Sequence, residues 1–300
     1  MNKEDFLEWF RGFTDAEGCF FIGRNKDKYF KFVFKITLHL DDRGVLEYIK
    51  KFLEIGKIYI SKNEVSFTVY SKEEIKLIID IFSKNHLNST KHLNFLSLKK
   101  AFELYHGLDD SICKNSLDMK KEIDLIKSSM NSKRSEMKLP ASHQIRITNY
   151  WLLGFVEGDG SFTLVRNTKY KLIFDISQSS KDLLLMTEIK NYFKNLTAEL
   201  RFSEDYKESL SVEKSSKGSS FSMVNLTIKN QKYIAKVIIP FFDSKIWLSK
   251  KELDYRDWKV VLNLRNLGLH YTKDGSKVLG QIYNQINNNR LSSNRIHSNT

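Results

Sequence analysis

The chain reads as an α+β protein of two pseudo-symmetric half-domains, and three observations predict it. A twelve-residue segment occurs twice, strand-like alternations follow each copy, and helices mix with strands without the strict alternation of a parallel sheet. Residues 9–20 read WFRGFTDAEGCF and residues 151–162 read WLLGFVEGDGSF, so Trp, Gly, Phe, two acids, Gly and Phe recur in register at an offset of 142. Downstream, FVFKITLHLDDRGVLEYIKKF (32–52) parallels LIFDISQSSKDLLLMTEIKNYF (172–193) at an offset of 140, as a strand followed by a helix. FSKNHLNSTKHLNF (82–95) then parallels FDSKIWLSKKELDY (242–255). These landmarks predict half-domains over 1–106 and 148–286, a polar linker over 107–147 with one helical stretch, and a loose tail over 287–300.

Each half opens with an apolar helix, about 4–17 and 148–159, and the Gly after its last acid is expected to stop it by taking the left-handed conformation. Strands follow. In KFVFKIT (31–37), Phe32, Phe34 and Ile36 share one face, and Lys31, Val33, Lys35 and Thr37 the other. EVSFTVY (64–70) alternates as well, and in SMVNLTIKN (222–230) Val224, Leu226 and Ile228 face in while Asn225 and Lys229 face out. Each half is therefore expected to hold two hairpins in an antiparallel sheet packed on helices.

Composition narrows the partners. Apolar residues make up 41% and aromatics 13%, enough for a sizeable core, while the formal net charge of +13 attracts polyanions. No segment approaches the roughly 20 apolar residues of a membrane-spanning helix, so no membrane is expected and nucleic acid is the favoured partner. The residues picked for groove contacts on outward strand faces are Arg24, Lys31, Lys35, Thr163, Arg166, Asn225 and Lys229. Cys19 and Cys113 are too few for a disulfide framework and are expected to be buried free thiols. The excess of Lys, Asn and Ile suggests an AT-rich genome.

The chemistry concentrates at the repeated motif. Gly12 and Ala16 are four residues apart, as are Gly154 and Gly158, so each helix carries a strip of small residues along which two helices can meet closely. That contact brings Glu17 and Asp159 together at the negative ends of two helix dipoles, where two carboxylates repel. A hard divalent cation relieves the repulsion. Mg²⁺ is expected, with Mn²⁺ or Ca²⁺ as other occupants, held by Glu17 and Asp159 with the carbonyls of Ala16 and Gly158 as further candidate ligands. Such a site suits hydrolysis of a phosphodiester.

FRGFTDAEG and LLGFVEGDG resemble the two signature motifs of the LAGLIDADG homing endonucleases, and the likeness spans nearly the whole chain. The resemblance implies a single-chain monomer with a saddle-shaped sheet in each half, making a staggered double-strand break in a long asymmetric DNA site. It implies Glu17 and Asp159 as catalytic metal ligands, with Asp15 and Glu157 structural near the interface between halves. KHLNF and KELDY match the family's late Lys motif, which makes Lys91 and Lys251 catalytic candidates. Gln178 fits the family's strand Gln, whereas the first half has Leu38 there, so the two half-sites are expected to be unequal. The family also contains RNA-splicing maturases, so intron RNA is the partner in a second reading. A fungal mitochondrion or a similar organelle is the expected location.

Overall fold

The computed structural model describes residues 1–25, 29–107, 117–199, 208–213 and 222–290. The N-terminal half runs α1 (Lys3–Glu17), β1 (Gly18–Asn25), β2 (Tyr29–His39), α2 (Arg43–Leu53), β3 (Lys57–Ser61), β4 (Glu64–Val69), α3 (Lys72–Lys84), α4 (Lys91–His106) and α5 (Leu117–Ser128). The C-terminal half repeats that order with α6 (Asn149–Asp159), β5 (Gly160–Val165), β6 (Lys171–Ser179), α7 (Leu183–Glu199), β7 (Glu208–Glu213) and β8 (Met223–Ile228). It continues through α8 (Gln231–Tyr233), a π turn, α9 (Ile239–Asp243), α10 (Lys251–Asn266) and α11 (Lys273–Gln285). Both sheets are antiparallel and four-stranded, ordered β1-β2-β4-β3 and β5-β6-β8-β7. The α+β class with two related halves is thus what the chain adopts.

The alternation read from the sequence sets which face is buried. Phe32, Phe34 and Ile36 of β2, and Val224, Leu226 and Ile228 of β8, turn inward onto the helices and are at most 3% exposed. Each such side chain contributes roughly 1.5–3 kcal/mol on leaving water. Val33 departs from the expectation, because it stands on the opposite face of β2 yet is buried.

The two halves meet along α1 and α6. A Cβ added at Gly12 would lie 1.9 Å from the Trp151 carbonyl oxygen, and one at Gly154 would lie 2.1 Å from that of Trp9. Only glycine lets the two backbones approach this far. Trp9 stacks on Phe13 with ring centroids 4.7 Å apart, and Trp151 on Phe155 at 4.9 Å, filling the space beside the glycine contact.

Gly18 and Gly160 act differently from the expected left-handed caps. Both are extended, with φ of −70° and −80°. A Cβ there would fall 2.7 Å from the Thr14 and Val156 carbonyls respectively, so glycine is needed for the sharp passage from helix into strand.

Two boundaries also shift. Within 107–147, α5 buries Met119 and Ile123 in the N-terminal core, and Asn131 and Arg134 bind α4 through Asn94. Residues 287–290, expected in the loose tail, form a turn in which Asn287 and Arg290 bind Asp254 of α10. These are matched features: Asn131 and Asn287 have φ of 56° and 58°, and their amide side chains donate to the carbonyls of Phe20 and Phe162 at 3.0 and 3.1 Å. Cys19 is exposed on the outer face of β1, contrary to expectation, and Cys113 lies outside the described residues.

Candidate active site and nucleic-acid interface

Glu17 and Asp159 are the last residues of α1 and α6, so the close glycine packing upstream delivers both carboxylates to one place. A Cβ on Gly158 would sit 3.4 Å from Glu17 Oε1, which places the Glu17 side chain against the opposite motif. Burial pushes the Asp159 carboxyl up to about 7, with the Glu17 charge adding to the rise and Lys91, Lys251 and Gln178 opposing it. Burial raises Glu17 in the same way, against the pull of Lys91 and Lys251.

Lys91 and Lys251 are the first residues of α4 and α10. Lys251 Nζ donates to the carbonyls of Gly158 (2.8 Å) and Gly160 (2.6 Å), and Lys91 Nζ donates to the carbonyl of Ala16. Burial lowers the pKa of both amines, while Asp159 and Glu17 hold them up. The Ala16 and Gly158 carbonyls, candidates for metal ligation, thus accept from the two lysines. Gln178 Nε2 donates to Asp159 Oδ2, while the matched Leu38 lines the cleft beside Glu17.

The earlier acid of each motif has a separate role. Asp15 accepts from the Asn88 and Ser89 amides at 2.9 and 2.8 Å and from the Trp151 indole at 2.8 Å. Glu157 accepts from the Leu248 and Ser249 amides at 3.1 and 2.6 Å and from the Trp9 indole at 3.1 Å. Each acid therefore ties the segment entering its own lysine helix to the opposite motif helix. Burial raises Glu157 to about 7 against its hydrogen-bond donors.

A third pair of acids crosses between the halves. Asp182 Oδ1 accepts from the Thr90 amide at 2.6 Å, and Asp42 Oδ1 accepts from the Lys250 amide at 3.1 Å. Each half thus fixes the residue before the other half's lysine. Asp42 and Asp182 align at the offset of 140, so the signal was present in the repeat, although the partners of these acids were not.

The clefts are matched but unequal. One of about 750 Å³ is lined by Glu17, Leu38, Asp42, Lys251 and Arg290, and one of about 240 Å³ by Cys19, Thr90, Lys91, Asn131 and Arg134. Two desolvated carboxylates side by side, with hard oxygen donors and cationic neighbours, are a donor set that fits a divalent cation such as Mg²⁺.

The outward sheet faces carry the other predicted residues. Lys31, Lys35, Thr163, Asn225 and Lys229 alternate away from the buried strand positions, and Arg166 is exposed just beyond β5. Lys31 Nζ lies 4.1 Å from the centre of the Tyr70 ring, and the Ser161 and Thr163 hydroxyls are 3.1 Å apart. Arg24 is the exception. It shares the parity of Phe20 and Ile22, lies over the Phe30 ring and pairs with Asp124 of α5, so it faces the helices instead of the outer surface.

The sequence profile described as LAGLIDADG endonuclease matches residues 10–102 and 152–262, one motif region in each half. The chain belongs to this family. It is 28% identical over 308 residues to the uncharacterized mitochondrial protein RF1 of Saccharomyces cerevisiae, covering 98% of this chain and 62% of that protein. It is 33% identical over 192 residues to the probable intron-encoded endonuclease Cox1-I1b of Schizosaccharomyces pombe, covering 61% of this chain and 48% of the relative. The chain thus spans about half to two thirds of the length of these relatives. Among solved structures it resembles the LAGLIDADG homing endonuclease I-GzeII in complex with its DNA target, with a TM-score of 0.77, 27% identity, and coverage of 95% of this chain and 99% of that one. It is equally similar in fold to I-LtrWI bound to target DNA, at a TM-score of 0.77 and 26% identity over 96% and 99% of the two chains.

Proposed function

We propose that the protein is a monomeric, site-specific DNA endonuclease that makes a metal-dependent, staggered double-strand break in a long asymmetric target, working in a fungal mitochondrion or a similar organelle. The carrying observation is the convergence of Glu17 and Asp159 at the ends of two closely packed helices, each beside a half-buried lysine. The similar solved structures hold DNA, and several relatives are named as intron-encoded endonucleases. The outward faces of the two sheets, with Lys31, Lys35, Thr163, Arg166, Asn225 and Lys229, supply cationic and hydrogen-bonding groups suited to a DNA major groove. Because the two faces differ in sequence, the site they read is asymmetric.

Glu17 and Asp159 are the residues that would hold the cation. When bound, Mg²⁺ supplies charge stabilisation on the phosphoryl oxygens and a more acidic water. Gln178 orients the Asp159 carboxylate through its amide. Lys91 and Lys251, held by main-chain carbonyls at the motif ends, place positive charge beside the scissile phosphates and offset the charge that develops as water attacks and the 3′ oxygen leaves.

The test is cleavage of a large randomised duplex library with Mg²⁺, followed by sequencing of the cut ends, beside a Glu17→Gln control. One asymmetric family of sites cut with a short stagger is expected, with cleavage by Glu17→Gln down by ~10³-fold or more while DNA binding remains. Asp159→Asn should behave alike. Full cutting by both variants overturns the site assignment, and binding of intron RNA without DNA cleavage moves the reading to a splicing maturase.

A further inference from the structure

Outside the acidic centre, three imidazoles meet where the linker returns to the N-terminal half. His86 lies in the loop between α3 and α4, His92 in the first turn of α4, and His143 in the segment leading to α6. One ring nitrogen from each lies within 4.8 Å of the other two. The ring centroids of His92 and His143 are 4.7 Å apart, and those of His86 and His92 are 5.0 Å apart.

The surroundings fix these segments firmly. Arg11, buried in α1, donates to the carbonyls of His86 (3.0 Å) and Arg146 (2.7 Å) and to the Asn88 side chain (3.2 Å). Asn88 in turn bonds both the amide and the carbonyl of Arg146, each at 2.9 Å. The loop, the helix start and the linker are therefore held in mutual register before any ligand arrives.

Within this frame the imidazole nitrogens are poorly served. His92 is only 3% exposed and its Nδ1 has no hydrogen-bond partner, and both His143 nitrogens are shut off from solvent without a bond of good geometry. Buried polar atoms are normally paired, so an unpaired group at a cluster of like donors points to a missing common partner. Burial, with His143 and His86 nearby, keeps His92 neutral down to about 3, and neutral imidazole is the form that ligates metals.

We propose that His86, His92 and His143 form a second metal site, for a nitrogen-preferring divalent transition metal and zinc first among them, which clamps the linker to the start of the Lys91 helix. A tetrahedral zinc with Zn–N bonds of about 2.0–2.1 Å sets its ligand nitrogens about 3.4 Å apart. Closing from the observed spacing takes shifts of at most about 1.4 Å, supplied by rotation of the exposed His86 side chain and small adjustments of the other two rings. Water completes the fourth position on that open side. Asp15, close enough to act on the His143 ring, contributes negative charge against the cation. The three nitrogen donors exclude Mg²⁺, which takes oxygen ligands, so the two sites differ in the metal they select.

The test uses the full chain stripped of metal and then held in saturating Mg²⁺, with Zn²⁺ titrated calorimetrically and by thermal melting, and Co²⁺ as a spectroscopic probe. One equivalent of Zn²⁺ should bind, raise the melting temperature by about 5 °C at a hundredfold excess over its dissociation constant, and give visible tetrahedral bands with Co²⁺. His86→Ala and His143→Ala should each lose that equivalent while melting near the wild type without zinc. The Glu17→Gln, Asp159→Asn double variant should keep it. Absence of zinc binding by the wild type, equal binding by the histidine variants, or its loss in the double variant overturns the site, and none of these outcomes bears on DNA cleavage.

Discussion

Lys91 and Lys251 occupy matched positions but are held differently. Lys251 Nζ bridges two main-chain carbonyls, whereas Lys91 Nζ is fixed by the carbonyl of Ala16. Lys251→Met and Lys91→Met should each lower kcat by ~10²-fold with little change in DNA affinity, as expected for charge that acts chiefly in the transition state. A pure affinity loss would instead make the lysine a phosphate contact. Asp159 adds a pH dependence. Its pKa is raised from 3.8 to about 7 in the folded protein, so the folded state holds a proton that the unfolded state releases between those values. The stability from this group is fully present below 3.8 and is lost as pH rises through about 7. In EDTA, urea unfolding should therefore show Asp159→Asn gaining about 2–3 kcal/mol on the wild type between pH 5 and pH 8. An unchanged gap would mean that Asp159 is not desolvated without metal. The meeting of Glu17 and Asp159 was legible because the repeat supplies two copies of one pattern, whereas Gln178, matched by Leu38 in the first half, came from the family resemblance alone, and Arg24 was misplaced because its role depends on strand parity and on Asp124 a hundred residues away.

Packing of α1 on α6 was legible as well, since small residues four apart have few other uses on two repeated apolar helices. Its severity was not, because the sequence does not show that main-chain atoms are what each glycine meets. Gly12→Ala and Gly154→Ala drive a methyl group to within 1.9 and 2.1 Å of a carbonyl oxygen on the facing helix. Backbone cannot rotate away as a side chain can, so each substitution should cost roughly 3 kcal/mol in chemical denaturation and separate Glu17 from Asp159. Gly44, whose added Cβ would meet nothing within 4 Å, provides a control expected to tolerate Ala. The helix stops were the reverse case. A Gly after an acid suggested a left-handed cap, yet Gly18 and Gly160 are extended and are selected by the proximity of the preceding turn. The helical stretch of the linker was legible from its Leu and Ile spacing, but its docking through Met119 and Ile123 was not, and the turn at Asn287 escaped notice for a related reason: polar composition masked contacts that are made at single points.

At the scale of the whole molecule the halves are joined by more than the motif helices. Asp182 of the C-terminal half accepts from Thr90 through both its amide and its hydroxyl, at 2.6 and 3.1 Å, and Asp42 of the N-terminal half accepts from the Lys250 amide at 3.1 Å. Lys250 Nζ also pairs with Asp41 at 2.9 Å. The residue before each lysine helix is therefore held by an acid of the opposite half. The Asp182 contact is the more buried of the two and is made twice to one residue, so its loss should be felt more strongly at Lys91 than the loss of Asp42 at Lys251. Asp182→Asn replaces an acceptor oxygen with a donor amide on one side, and it weakens a charge-assisted bond to the Thr90 amide. On a supercoiled plasmid carrying the target, this variant should accumulate nicked circles and slow their conversion to linear DNA by ~10-fold, with DNA affinity within twofold of wild type. Asp42→Asn should nick the opposite strand preferentially, to a smaller extent. Equal slowing of both strands by either variant would show that the latches hold the halves together as a body, without steering individual lysines.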